Sequence, residues 1–231
     1  MANRIDMKTY ENAPTHTSIC LDNIGKRFRY EWIFRNVITT FHGGYAYAIL
    51  GPNGVGKSTL MKILSGQLTP SDGKISFTFN NKICDIDNVY RHISFAAPYI
   101  ELIEEFTLLE LLELHVKFKP FAQNLTINDV IDLLDFQKSK DKEIRYFSSG
   151  MRQRLKLALA ICSQTPVLFL DEPTTNLDSQ GIQWYRALMN RFALNINENT
   201  ERSQKLVIIA SNTEHDYDFC NEILDMRQFK K

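Results

Sequence analysis

The chain has 231 residues, enough to bury a sizeable core in one α/β domain or in a core with a smaller lobe. Its 27 Lys and Arg balance 27 Asp and Glu, so the overall charge draws it neither to nucleic acid nor to an anionic membrane. No apolar run approaches the roughly 18–20 residues of a membrane span, and the polar N-terminus carries no apolar leader core. Cys20, Cys84, Cys162 and Cys220 are dispersed without a C-x-x-C pair, which predicts four buried, reduced thiols in a cytoplasmic chain.

Apolar and polar residues alternate over 18–41, which predicts antiparallel strands. Phe28, Tyr30, Trp32 and Phe34 crowd this stretch. Most such rings pack a sheet, but one left exposed could stack on a purine, and position alone leaves Phe28 and Tyr30 both open. The apolar run Tyr45 to Leu50 then leads into Gly51-Pro52-Asn53-Gly54-Val55-Gly56-Lys57-Ser58-Thr59, followed by a helical segment through Leu64. Strand, G-x-x-x-x-G-K-S and helix together predict a phosphate-binding loop. Its glycines let backbone N–H groups approach a phosphate, and the helix N-terminus adds about half a positive charge. Lys57 would reach the β- and γ-phosphates, and the Ser58 hydroxyl would ligate Mg²⁺.

A turn at 69–73 precedes an alternating strand at 74–79, a turn at 80–82 and a strand at 92–97 that stops at Pro98. The texture then becomes helical. Thr107 to Glu110 and Thr126 to Asp129 read as capping boxes opening two helices, and 138–142 is a charged linker. Residues 99–148 are predicted as a helical lobe inserted between core segments 1–98 and 149–231.

Phe147-Ser148-Ser149-Gly150-Met151 opens a predicted helix at 152–163, either as a plain cap or as a second anion site built from hydroxyls and backbone. The apolar run 166–170 ends in Asp171-Glu172, the pattern of a buried parallel strand delivering carboxylates at its C-terminal edge. Asp171 would then lie beside Ser58 and the metal, with Glu172 as general base for water attacking a γ-phosphate. A turn through Asp178, a helix at 179–194, a polar loop at 195–203 and a buried strand at 206–210 follow, and the tail from His215 closes the domain.

In this order the motifs resemble the ATP-binding cassette (ABC) ATPases, with a match running from about Ile19 to Met226. The resemblance implies a P-loop NTPase core with a mixed sheet, an antiparallel β subdomain and the inserted helical lobe. It also implies an ATP site comprising Phe28, the loop Gly51 to Thr59 and Asn212, with Phe28 stacked on adenine. Lys57 and Glu172 would be catalytic, and Ser58 and Asp171 would hold Mg²⁺. Ser148, Ser149, Gly150 and Met151 would form the signature that touches the ATP of a second subunit, and Asp178 would belong to the D-loop.

Two positions depart from the family pattern. Pro98 stands where a glutamine is expected, and Asn212 stands where a histidine is expected. Proline supplies no side-chain acceptor, and an amide carries no positive charge. Glu101 and Glu104 are the acids near enough in sequence to compensate, and His215 reads as a surface histidine. The resemblance therefore implies a slow ATPase that pairs with a second ATP-binding subunit, a homodimer in the simplest case, and drives a separate membrane permease from the cytoplasmic side. Tyr99, Ile100, Leu102 and Ile103 are the candidate permease contacts, and no nucleic-acid partner is expected. The alternatives are a nucleotide switch with little turnover and a soluble ABC ATPase outside transport.

Overall fold

Two sheets divide the residues described by the computed structural model, 16–194 and 204–230. The first is antiparallel. Strands β1 (Ser18–Phe28) and β2 (Glu31–His42) form a hairpin in which Ser18 faces His42 and Phe28 faces Glu31. On its other side β1 pairs with β4 (Asp72–Phe79), and β4 pairs with β5 (Lys82–Cys84), giving the order β2-β1-β4-β5. The stretch predicted only as a turn at 80–82 thus runs directly into a short strand.

The second sheet has five strands, β6 (Ile93–Ala96), β7 (Val167–Asp171), β8 (Leu206–Ala210), β3 (Ala46–Leu50) and β9 (Glu222–Asp225), all paired in parallel in that order. Every residue of the central strands β7 and β8 is buried. That is why they read as unbroken apolar runs rather than alternating ones. Alternate side chains still serve different cores. Val167 and Phe169 join a cluster with Phe34, Phe41, Leu60 and Ile63 between the two sheets. Leu168 and Leu170 join another on the opposite face with Leu112, Val130 and Leu155. Each large apolar side chain so buried contributes about 1.5–3 kcal/mol relative to exposure.

Five α-helices accompany the sheets: α1 (Lys57–Leu64), α2 (Leu108–Phe118), α3 (Ile127–Leu134), α4 (Ser149–Ile161) and α5 (Ser179–Met189). The reciprocal bonds of both capping boxes are present, Thr107 with Glu110 and Thr126 with Asp129. Helix α4 begins three residues before the predicted start. Helix α5 ends at Met189 and passes into a π-helical turn, Asn190–Leu194, so the predicted helix to 194 changes its winding where Phe192 and Ala193 are buried.

The tail does more than close the domain, since β9 is the edge strand beside β3. Its half-polar sequence and shortness hid it. The cysteine expectation also needs correcting: all four thiols are free, but only Cys162 is fully buried, its burial raising the thiol pKa to about 12. The predicted loop at 195–203 lies outside the described residues. Among the described residues no helix is long and apolar enough to cross a membrane.

Candidate functional site

Strand β3 delivers the chain into the glycine loop at the C-terminal edge of the parallel sheet, and α1 leaves it. Gly56, at φ 106°, is the last loop residue. A Cβ there would sit 2.7 Å from Ile33 Cγ2 and 2.8 Å from Phe34 Cδ1, so β2 presses against the loop and only glycine fits. Its α1 N-terminus receives no side-chain cap, leaving backbone donors for a ligand. A cavity of about 360 Å³ opens here, lined by Ile33, Asn53, Lys57, Ser58, Thr59 and Glu172 among others. The Lys57 ammonium is buried and donates to the Gly51 carbonyl at 2.8 Å.

The two acids arrive from β7. Asp171 pairs in register with Ala210 and is 2% exposed. Burial raises its pKa, opposed by hydrogen bonds from the Ser58 and Tyr99 hydroxyls and by the charges of Lys57 and Lys62. Its Oδ1 is buried without a hydrogen-bond partner. An orphaned carboxylate oxygen beside a serine hydroxyl is a hard-oxygen donor set, so these residues fit Mg²⁺.

Glu172 turns the chain with φ 46°, a left-handed conformation uncommon for a non-glycine residue and frequent where strain serves a site. The turn aims its carboxylate into the cavity, 3.9 Å from Lys57 Nζ. Its pKa is raised, first by burial and further by Asp171 and Asp216, against the Ser211 hydrogen bond and the Lys57 charge. The Ser211 hydroxyl lies 3.2 Å from Glu172 Oε2 and 2.6 Å from Asp216 Oδ2, tying the acid to the end of β8. Asn212 follows, its side-chain amide 3.0 Å from that of Asn53. Turned over, the same amide accepts from Lys57 Nζ at 2.9 Å.

Ser148 and Ser149 are exposed, away from the cavity. Ser148 caps α4 by accepting from the Met151 N–H at 3.2 Å. A Cβ on Gly150 would stand 3.3 Å from the Asn176 carbonyl, so the signature and the turn after Glu172 lie backbone to backbone. Asp178 caps α5 through Gly181 N–H at 2.7 Å.

A family model described as ABC transporter matches residues 34–175. The chain belongs to the ABC transporter ATP-binding family. It is 32% identical over 167 residues to the uncharacterized ABC transporter ATP-binding protein YcbN of Bacillus subtilis, a match covering 72% of this chain and 54% of that protein. It is 31% identical over 178 residues to the lantibiotic transport ATP-binding protein SrtF of Streptococcus pyogenes, covering 74% of this chain and 73% of that one. The chain therefore spans about half the length of some curated relatives and most of others. Among solved structures, the ATP-binding cassette MJ0796 in a dimeric post-hydrolysis state with ADP and Pi aligns with TM-score 0.73 and 23% identity, covering 90% of this chain and 93% of that one. That likeness speaks for the fold, a P-loop NTPase cassette.

Several expected members of the cassette's site lie elsewhere than the sequence suggested. Phe28 is 50% exposed at the end of β1 with Lys26 Nζ 5.2 Å from its ring centroid, and Tyr30 is almost fully exposed in the hairpin turn. Neither lines the cavity, whereas Ile33 does. Glu104 pairs with Arg152 at 2.7 Å and Glu101 lines a separate groove, so neither acid replaces the missing glutamine. His215 is not merely a surface residue: its Nε2 lies 3.1 Å from the Thr174 hydroxyl. The residue overlooked was Tyr99, whose hydroxyl bonds to Asp171. The pairing of Ala96 with Leu170 across β6 and β7 brings the two strand ends together, a juxtaposition implicit in reading both as neighbouring parallel strands.

Proposed function

We propose that this cassette binds Mg-ATP and hydrolyses it slowly as one of two ATP-binding subunits, a homodimer in the simplest case, that drive a separate membrane permease from the cytoplasmic face. The observation that carries the reading is the convergence of Lys57 from α1 and Glu172 from β7 on one cavity, 3.9 Å apart. The loop N–H groups from Gly51 to Thr59, with Pro52 and Val55 completing the turn, would cradle the phosphates, and Lys57 would swing from the Gly51 carbonyl to the β- and γ-oxygens. Ser58 and Asp171 would hold Mg²⁺, which when bound bridges phosphate oxygens and neutralises their charge. Glu172 would take the proton of a water attacking the γ-phosphorus as the bond to the ADP oxygen breaks, a role worth about 10²–10⁴ in rate.

Ser148, Ser149, Gly150 and Met151 face away from their own chain's cavity, which supports a second subunit whose ATP they would contact. Phe28, half exposed beside the loop sheet, remains free to meet an adenine. Asn212 can hydrogen-bond a γ-phosphate but carries no charge, and Pro98 brings no acceptor, which favours slow turnover. A second groove of about 350 Å³ lies between β6 and α2, lined by Phe95, Ile100, Leu102, Leu111, Phe118 and Lys119 among others, and would receive the permease.

The test is steady-state phosphate release with Mg-ATP for the wild type, Glu172→Gln and Lys57→Ala. Turnover in the wild type alone, with Glu172→Gln trapped as an ATP-bound dimer, supports hydrolysis. Phosphate release no faster than in Glu172→Gln would replace the engine with a nucleotide switch, the reading that Pro98 and Asn212 favour.

A further inference from the structure

Pro98 leaves the cassette without a side chain at the position expected to watch over the metal, yet the buried Asp171 carboxylate is not left to itself. Tyr99 reaches it. The tyrosine hydroxyl and Asp171 are hydrogen-bonded, while Asp171 Oδ1 stays unpartnered and buried. The ring that carries this hydroxyl is clamped: Lys62 Nζ lies 4.2 Å from its centroid and the Phe95 ring 6.2 Å away. The backbone beneath it is fixed as well. Ile100 N–H donates to the Ala97 carbonyl at 3.2 Å, Lys156 donates to the Pro98 carbonyl at 3.3 Å, and the Pro98 ring locks its own φ.

We propose that Tyr99 is the positioning residue of this cassette's metal site: its hydroxyl holds Asp171 in one orientation and leaves Oδ1 for the cation. This inference rests on the reading of Ser58 and Asp171 as the Mg²⁺-binding pair. A hydroxyl donating to a ligating carboxylate fixes its rotamer without competing for the metal, and outer-shell partners of this kind typically govern 10–100-fold in metal affinity. The work is done by the residue after Pro98, because a rigid aromatic side chain with two rotatable bonds extends further than an amide would. Glu104 is committed to Arg152 and Glu101 to the groove, so Tyr99 is the group from this segment that meets the site.

The experiment measures Mn²⁺ binding by electron paramagnetic resonance to the full chain carrying the non-hydrolysable analogue AMP-PNP, for wild type, Tyr99→Phe and Asp171→Asn. Tyr99→Phe keeps the ring, its cation and its neighbour and removes only the hydroxyl. The expected result is a roughly 10–100-fold weaker Mn²⁺ affinity, with the thermal midpoint and the metal-free AMP-PNP affinity unchanged. Wild-type Mn²⁺ affinity in Tyr99→Phe, alongside a loss in Asp171→Asn, would make Tyr99 a bystander and overturn the proposal while sparing the metal site. An equal loss of metal-free AMP-PNP binding would make the hydroxyl a structural prop, overturning it too. Unchanged Mn²⁺ affinity in Asp171→Asn would bring down the metal reading and this inference with it.

Discussion

Lys57 Nζ stands 2.8 Å from the Gly51 carbonyl and 3.9 Å from Glu172 Oε1, so the loop cation and the strand-end acid already share one space before any ligand enters. Both the cation and the acid must be released from each other for a phosphate and a water to come between them. Turnover then requires Glu172 as carboxylate. Because burial raises its pKa, the acidic limb of a kcat–pH profile is expected above the ordinary carboxylate range, with rate lost as pH falls through it. In Glu172→Gln the rate falls by about 10²–10⁴ and the limb disappears. A limb at the usual position of a solvated glutamate would contradict the assignment.

Ser211 offers a separate handle on the same acid. Its hydroxyl lowers the Glu172 pKa and also meets the buried Asp216, which is 1% exposed. Ser211→Ala is expected to move the acidic limb to still higher pH and to cost about 1–3 kcal/mol of stability, because Asp216 loses a buried partner. Urea titration and a pH-rate profile on one preparation read both effects.

Gly56→Ala combines two penalties, a positive φ and a Cβ 2.7 Å from Ile33. The expected cost is about 1–3 kcal/mol, visible as a lowered Tm. Nucleotide affinity should fall as well, since β2 and the loop must part to admit the methyl. Replacing Ile33 with Ala in the same chain should recover a share of the Tm, because the clash is removed and the strain is not.

His115 titrates far from the site. Burial, with Lys119 adding to it, lowers its pKa to about 4, and its ring stacks on Phe121 at 5.3 Å while Nε2 meets the Ser163 hydroxyl at 2.8 Å. The folded state therefore refuses a proton that the unfolded chain accepts. Stability contributed by this group is complete above pH 6.5 and is lost as pH falls towards 4, by about 2–3 kcal/mol. Denaturant titrations at several pH values should show a shallower acid decline in His115→Gln than in the wild type, and parallel curves would refute the assignment.

Much of this molecule is written in short-range chemistry. The glycine loop, the capping boxes at Thr107 and Thr126 and the buried run into Asp171 each depend on residues close in sequence, so pattern alone located them. What pattern missed depends on partners brought from afar. Tyr99 matters because Asp171 ends the neighbouring strand, and β9 exists because β3 offers it an edge. The partial exposure of Cys20, Cys84 and Cys220 follows from the strand edges and tail that hold them, which composition does not encode. Ile33 contributes to the cavity through the packing of one sheet on another, a relation with no sequence periodicity.

Helix α4 touches two carbonyls that belong to different parts of the molecule. Gln153 donates to Pro173 at 2.6 Å, just past Glu172, and one turn later Lys156 donates to Pro98 at 3.3 Å, just before Tyr99. Residues three apart share a helix face, so both tethers pull from the same side of one rod. A roll or tilt of that rod displaces the two loops together, in a fixed ratio set by the helical rise. The metal carboxylate's neighbour and the general base's neighbour thus have one shared degree of freedom where two separate hinges would have given them two.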